Sequence, residues 1–216
     1  MRANVTARRA AGTPIGAVGA PAGSADGAAV VLDAERANLA ALLAALGDGM
    51  LERLAGAVAS ARTVAVVGFR NGYPVALHLR TQLAQARPGV RLAPQPGQSL
   101  AEDLVGLGAG DLVVVCAFRR RPPGLRAALA AVVESGASLV VVGDPSARSI
   151  LPPDAGDALV GFVPCPVAAP GAFDSYAAAM TFVALLASAV LGADLRAGRG
   201  RVSAIDRAYR ALGETE

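Results

Sequence analysis

Residues 63–73 read TVAVVGFRNGY, an apolar run that ends in a glycine-containing turn and leads into an amphipathic segment. A second run, LVVVC at 112–116, has the same character further along the chain. Apolar runs without polar alternation are typical of strands that are covered on both faces, as in a parallel sheet. The stretch 63–73 therefore predicts the first strand and the first crossover helix of an α/β fold.

Similar β-branched runs predict five strands, at Thr63–Val67, Val90–Leu92, Leu112–Cys116, Leu139–Val142 and Ala158–Val163. Amphipathic segments alternate with them, at 73–86, 98–106, 123–135, 175–192 and 202–211. Because crossovers between parallel strands are right-handed, helices cover both faces of such a sheet. The sequence predicts a three-layer α/β/α sandwich with a five-stranded parallel sheet, a Rossmann-like arrangement.

The N-terminal stretch differs from the rest. Residues 1–30 are rich in Ala, Gly, Pro and Thr without any period, which predicts a disordered leader. A helical period begins at Asp33, and Gly47-Asp48-Gly49 predicts a break into two helices, with Asp48 capping the second. One folded domain, residues 31–216, is expected.

The composition excludes several classes of protein. All 20 basic residues are Arg, so the chain has no lysine for a Schiff base or a Walker A loop. One histidine, His78, and two cysteines, Cys116 and Cys165, are too few for a Cys/His zinc site. We expect no metal and no cofactor. Both cysteines lie in apolar runs, which favours reduced thiols and a cytoplasmic protein over a disulfide framework.

The charge and the apolar segments indicate whether the chain binds nucleic acids or crosses a membrane. The formal net charge is only +3, and the basic residues are scattered apart from Arg119–Arg121, so we expect no DNA binding by this chain. No signal peptide is expected at the N-terminus. The apolar stretch 176–192 is at the lower length limit for crossing a bilayer. Its many alanines, with Thr181 and Ser188, favour a buried helix instead.

Ligands of parallel α/β sheets bind at the carboxyl ends of the strands, so the residues that follow each run are informative. After the first strand, residues 68–73 lead into a helix whose N-terminus favours an anion, and Arg70 adds a guanidinium. The alternative is an ordinary turn. After the third strand, the adjacent cations Arg119, Arg120 and Arg121 form either a solvated loop or a clamp for a polyanion.

Other polar residues are less specific. Gly143–Ser146 is interpreted as a turn that Asp144 caps, and Asp174 or Ser175 as the cap of the long apolar helix, in a loop that either only connects or closes over a ligand. His78 and Glu102 are the weak candidates for acid/base chemistry. A packing or surface role for His78 and a helix-start role for Glu102 are the alternatives.

Several segments, in this order, resemble a SIS (sugar isomerase) domain, most closely the effector-sensing half of RpiR-type transcriptional regulators: Glu35–Leu39, Val64–Phe69, Asp111–Val115, Ser135–Ala137 and Phe173–Tyr176. The resemblance implies a dimer that holds a phosphorylated sugar at the strand ends. It does not include the helix-turn-helix module that precedes the domain in those regulators.

The family's first loop is Gly-x-Gly-x-Ser; here Gly68 matches, Arg70 replaces the second glycine and Gly72 replaces the serine. The second loop, Ser-x-Ser-Gly, is replaced by Ala117, Phe118, Arg119 and Arg120. The resemblance therefore implies these ligand-binding residues: Gly68, Arg70, Asn71, Gly72, Ala117, Arg119, Arg120 and Ser175. The hydroxyls are missing from both loops, and arginines stand where two of the departures occur, which predicts a ligand that is still anionic, a sugar phosphate or a sugar carboxylate held by Arg70 and Arg119.

Three functions remain open at this point. A ligand-sensing module fits the lack of an evident acid/base pair, and no catalytic residue is assigned. A phosphosugar isomerase is the alternative, and a purely structural docking partner is the third. A homodimer is expected in each case, because the leading helices and the segment 176–192 carry more apolar surface than one sheet face covers.

Overall fold

The computed structural model of the protein describes residues 25–171, 173–193 and 195–214. Its helices are α1 (Ala25–Leu46), α2 (Met50–Ser60), α3 (Gly72–Ala86), α4 (Leu100–Leu104), α5 (Leu125–Glu134), α6 (Ala177–Ala193) and α7 (Leu195–Leu212). Its strands are β1 (Val64–Gly68), β2 (Val90–Ala93), β3 (Leu112–Cys116), β4 (Ser138–Gly143) and β5 (Leu159–Pro164). Two short 3₁₀ helices, Pro145–Ile150 and Gly156–Ala158, connect β4 to β5.

The five strands form one parallel sheet in the order β2-β1-β3-β4-β5. Every residue of β1 and β3 is buried, as expected for strands with helices on both faces. The chain moves outward in one direction from β1 to β2, and in the other from β3 through β4 to β5. The predicted three-layer sandwich is confirmed, and the order reverses between β1 and β3.

The two faces of the sheet are covered unequally. On the face that we call the four-helix face, α1, α2, α3 and α6 pack on alternate strand residues such as Val66 and Val114. On the opposite side, the thin face, α5, the short α4 and the first 3₁₀ helix pack on the other set, which includes Val67 and Val115. The thin face is therefore covered by fewer and shorter helices.

The long apolar helix is an internal element of the domain. In α6, the side chains of Phe182, Val183 and Leu186 are fully buried, and the helix packs against α1, α2 and α3. The prediction of a buried helix is confirmed. Because its own chain covers α6, this helix does not supply the surplus apolar surface from which a dimer was expected.

No single helix among the described residues is long and apolar enough to span a membrane. One bent pair, Ala177–Ala193 with Gly198–Leu212, meets the length and composition criteria only when the two are taken together.

Three details at helix ends correct the sequence analysis. Helix α1 begins at Ala25, so residues 25–30 are helical and the predicted leader is too long; alanine is the strongest helix former, and that segment holds three. Residues 1–24 lie outside the described residues. Asp48 does not cap α2, whose N-cap is Gly49 in a left-handed conformation (φ 79°) without a side-chain hydrogen bond. The last helix begins at Leu195, before the predicted residue 202.

An ion pair fastens the amino ends of β1 and β3. The Arg62 Nε atom donates to Asp111 Oδ1 at 3.0 Å, and the Gly108 N–H donates to Asp111 Oδ2 at 3.1 Å. The Arg62 hydrogen bond is the main reason why the pKa of Asp111 is lowered from 3.8 to about 2, against the opposing effect of burial. The two central strands are thus joined at the end away from the candidate site.

Candidate functional site

Two loops emerge at the carboxyl ends of β1 and β3, where the strand order reverses. We call residues 69–71 the first loop and residues 117–124 the second loop. In open α/β sheets this switch point opens the crevice in which ligands bind. The parallel pairing of Gly68 with Cys116 places the two loops side by side. The structure therefore brings together the two segments that the sequence singled out.

The first loop presents an exposed arginine. Arg70 has a positive φ of 50°, which is uncommon for a residue with a side chain. Its side chain is exposed and forms no ion pair among the described residues. Asn71 follows as the N-cap residue of α3, without a capping side-chain bond. The loop thus holds a cation whose charge is available to a ligand.

The glycines beside this loop allow close packing. A Cβ atom on Gly72 would lie 2.3 Å from the carbonyl oxygen of Cys116. One on Gly68 would lie 2.6 Å from the Ala76 Cβ atom and from the Gly72 carbonyl oxygen. Both glycines let α3 approach the sheet, which explains their presence without a ligand.

The second loop is held by a buried carboxylate. Asp144, which is 2% exposed, follows β4 and lies beside the end of β3. Its Oδ2 atom accepts from the Arg119 backbone N–H at 2.8 Å and from Arg121 Nη1 at 2.8 Å. The backbone N–H of Ser146 donates to Asp144 Oδ1, so the predicted cap of the 3₁₀ helix is confirmed. Sequence reasoning missed that the same carboxylate organises the second loop.

The arginines of the second loop are therefore not equivalent. Arg121 also donates to the Ala117 carbonyl oxygen at 2.9 Å and to Ser146 Oγ at 2.7 Å, so its guanidinium is part of the structure. The Arg119 side chain, 28% exposed, has Nε 3.9 Å from Asp144 and Nη2 3.7 Å from Asp174. Arg120 is exposed and forms no ion pair among the described residues.

The arginines of the second loop are balanced by nearby carboxylates, which the sequence did not predict. The cations of Arg119 and Arg121 face the carboxylates of Asp144 and Asp174, so the four groups sum to zero. Two oppositely charged pairs at these distances leave little net field for an incoming anion. The net positive charge at the switch point comes from Arg70 and Arg120, whereas Arg119 is shared with the loop that precedes α6.

Tyr176, which sequence reasoning did not single out, connects the two loops. Its ring lies edge-on to Phe118 of the second loop, with ring centroids 5.3 Å apart. Burial raises the pKa of Tyr176, and the side chain of Asn71 in the first loop partly offsets this. Ser175, one residue earlier, accepts from the Ala177 N–H at 3.2 Å and caps α6. The predicted ligand role of Ser175 competes with this capping bond.

The weak acid/base candidates lie away from the loops. His78 is exposed on α3, six residues beyond Gly72, which is about 9 Å along the helix axis from the edge where the loops emerge. Glu102 is exposed on α4, on the thin face. The structure does not bring either residue into the arginine loops.

The two thiols are buried. Burial raises the pKa of Cys165 to about 12 and also raises that of Cys116. Neither cysteine is a thiolate near neutral pH, so neither is an activated nucleophile. Within residues 25–171, 173–193 and 195–214, no three His, Cys, Asp or Glu side chains are grouped to hold a metal ion.

Comparison with solved structures places this architecture among known folds. The sugar isomerase domain of the RpiR transcription factor from Sphaerobacter thermophilus superposes with a TM-score of 0.72 at 21% identity, over 82% of this chain and 96% of that one. The Vibrio vulnificus NanR protein, in complex with ManNAc-6P, gives 0.68 at 14% identity, over 88% and 70%. A Methanococcus jannaschii protein, whose structure infers a function as 3-hexulose-6-phosphate isomerase, gives 0.57 at 10%, over 79% and 96%.

No protein-family profile matches the sequence, and no curated protein matches it. The likeness is therefore one of three-dimensional structure. The chain has the SIS-domain fold, as the resemblance of its sequence segments implied.

Proposed function

We propose that this chain binds an anionic sugar derivative, a sugar phosphate or sugar carboxylate, between the first and second loops, and that it works as a ligand-sensing module like those of RpiR-type regulators. The observation that carries the proposal is the exposed guanidinium of Arg70, which forms no ion pair among the described residues, at the switch point of a SIS fold. A guanidinium binds phosphate and carboxylate through paired, charge-assisted hydrogen bonds. The NanR protein, which has the same fold, was solved with a sugar phosphate.

In this proposal the three exposed or half-buried arginines have different roles. Arg70 and Arg120 supply the attraction for the anion, because neither has an ion-pair partner among the described residues. Arg119 adds a third contact when the ligand replaces the long contact, 3.7 Å, between its Nη2 atom and Asp174. Gly68, Gly72 and Ala117 shape the backbone around the ligand, and Asn71 and Ser175 border it.

A sensing role fits this arrangement better than isomerisation. Moving a proton between adjacent carbons needs a base within hydrogen-bond reach of the substrate. His78 and Glu102 lie outside the two loops, and the carboxylates of the cluster face arginines. The proposal also includes a homodimer in the cytoplasm, where the buried, reduced cysteines suit the redox state.

The test is isothermal titration of a panel of sugar phosphates and sugar acids, beginning with ManNAc-6P. Arg70→Ala should weaken binding of the best ligand about 10- to 100-fold, the size of one lost charge-assisted hydrogen bond. Arg119→Ala should also weaken it. Arg80→Ala is the matched control, because Arg80 is an exposed arginine of α3 outside the loops, and it should leave affinity unchanged.

Unchanged affinity in Arg70→Ala would contradict the proposed site. If the best ligand is turned over, with exchange of its protons for solvent deuterium, the isomerase alternative replaces the sensing role. If no member of the panel binds, the docking role is favoured.

A further inference from the structure

An apolar groove lies on the thin face, next to the two loops of the candidate site. It has a volume of about 550 Å³ and runs between α4 and α5. Leu100 and Leu104 of α4 line one side, and Leu125 and Ala128 of α5 line the other. The described residues that line it are all apolar or glycine. A phosphate or a bare sugar ring would find no hydrogen-bonding side chain there, so the groove favours an apolar group.

The size of the groove suits part of a small molecule. Small-molecule sites have volumes of about 300–1,000 Å³ and are mostly apolar, and this groove lies within that range. A standard protein–protein interface involves about 20–30 residues on each side, whereas eleven residues line this groove. On the α5 side they are small, with Gly124, Ala127 and Ala131 among them. The small side chains leave room for an acyl chain or an aromatic ring along the helix.

Both loops of the candidate site contribute to this groove. Phe69 of the first loop and Pro122 of the second loop are among its lining residues. Arg70 directly follows Phe69, so its Cα atom lies about 3.8 Å from that of a lining residue. Arg120 comes two residues before Pro122. The two arginines that the proposed function assigns to the anion therefore stand at the loop end of the groove.

The loops and the groove complement each other chemically. Small-molecule sites combine a mostly apolar lining with a few polar or charged groups that fix the orientation of the ligand. Here the groove supplies the apolar lining, and the exposed guanidinium groups of Arg70 and Arg120 supply the charge. A ligand whose anion is held at the loops has the groove beside it, where an apolar substituent leaves water at a gain proportional to the area buried.

We propose that the groove between α4 and α5 binds an acyl or aromatic substituent of the same ligand whose anionic group is held by Arg70 and Arg120. The inference rests on the proposed function and names the ligand class of that site, an anionic sugar derivative that carries an apolar substituent. An unsubstituted sugar phosphate leaves the groove empty and binds more weakly, because it buries less apolar surface.

The experiment measures the affinity of the whole chain for three probes, methyl phosphate, hexyl phosphate and 1-hexanol, by isothermal titration and, for weak binding, by ligand-observed NMR. Methyl phosphate carries the anion alone, 1-hexanol carries the apolar chain alone, and hexyl phosphate carries both. Hexyl phosphate should bind about 30-fold more tightly than methyl phosphate, as expected when two or three additional methylene groups leave water. 1-Hexanol should bind more weakly than hexyl phosphate, because it lacks the anion.

Variants of the chain locate the two parts of the ligand. Ala128→Phe fills the groove and should abolish most of the advantage of hexyl phosphate, while the affinity for methyl phosphate stays unchanged. Val105→Asn, at a groove residue that is 80% exposed, should reduce that advantage to a smaller extent. Ala84→Phe is the matched control, because Ala84 is also half-buried on a helix but lies on α3 of the four-helix face, and it should change neither affinity. Arg70→Ala should weaken both phosphates alike, since they share the anion.

The outcomes separate this inference from the proposed function. If hexyl phosphate binds no more tightly than methyl phosphate, or if both Ala128→Phe and Val105→Asn leave its advantage intact, the groove inference is overturned; weaker methyl phosphate binding in Arg70→Ala then still supports the anion site. If 1-hexanol binds as tightly as hexyl phosphate and Arg70→Ala changes neither, the groove is not part of an anion site, and the inference and the proposed site both fail. Circular dichroism of each variant shows that a loss of binding is not a loss of folding.

Discussion

The first loop and the second loop lie side by side at the same edge of the sheet, and both carry arginine, yet they differ in what holds those arginines. Arg70 of the first loop is exposed and forms no ion pair among the described residues. Arg121 of the second loop is fixed by Asp144, by a backbone carbonyl and by Ser146. An arginine is therefore available to a ligand only if the fold leaves its charge unpaired.

This difference between the two loops arises from the strand that lies next to each of them. Asp144 ends up beside the second loop because β4 pairs with β3, whereas the strand next to β1 on its other side is β2, which is followed by Pro94 and Gln95 rather than by an acid. The second loop, which follows the central strand β3, thus lies beside a buried carboxylate, and the first loop does not. This is the physical basis for the proposal that Arg70 attracts the ligand, whereas Arg121 is part of the structure.

Removal of Asp144 should have the largest effect on stability. Asp144→Ala leaves the half-buried guanidinium of Arg121 without its carboxylate, which should lower the free energy of unfolding by about 3–5 kcal/mol. Arg70→Ala should change it by no more than about 0.5 kcal/mol, as for an exposed side chain without partners. Urea denaturation of both variants measures the difference. Equal effects would mean that the two loops do not differ in the way described.

The close packing of α3 against the end of β3 should have an intermediate effect on stability. Gly72→Ala forces a methyl group to within 2.3 Å of the Cys116 carbonyl oxygen, which should cost about 1–3 kcal/mol through overpacking. Gly124→Ala is the control, because a Cβ atom there meets nothing within 4 Å. Thermal and urea unfolding of both variants provide the measurement. A stable Gly72→Ala protein that fails to bind ligand would show instead that this glycine serves the ligand.

The smallest effect on stability is expected from the ion pair at the amino ends of β1 and β3. The Arg62 side chain holds the pKa of Asp111 at about 2, below the ordinary value of 3.8. Because the pKa is lower in the folded state, this pair stabilises the protein above about pH 4, and the contribution is lost as the pH falls toward about 2. Urea denaturation across this range should show the loss.

Arg62→Gln should flatten that pH dependence, since it removes the main cause of the shift. Arg36→Gln is its control: the pair of Arg36 with Asp33 is exposed, and such pairs contribute little. If Arg62→Gln left the slope between about pH 4 and pH 2 unchanged, the amino-end pair would not be the group responsible.

Much of the fold could be predicted because its signals are local. The runs that form β1 and β3 are apolar without alternation, and the helical period of 3.6 residues is visible in short windows. The helix ends were predicted less accurately than the strands. Gly49 caps α2 where Asp48 was expected, since the backbone adopts a left-handed turn that a glycine accommodates without strain.

The candidate site was predicted only in part. The position of Arg70 after β1 follows from the sequence, because strand ends define the ligand edge of a parallel sheet. The partners of Arg119 do not, since Asp144 and Asp174 come from later segments of the chain. Tyr176, which links the two loops, has no local signal that separates it from the other residues of an apolar stretch.

The amino-acid sequence by itself determined the class of the fold, the five strands, the buried α6 and the absence of lysine chemistry, because each depends on composition or on short-range periodicity. Only the tertiary structure decided which arginines carry available charge and which face of the sheet is thinly covered. Both depend on strand order, which places side chains distant in the chain within a few ångströms of one another. Charge pairing and burial are properties of that proximity, and no window of sequence contains it.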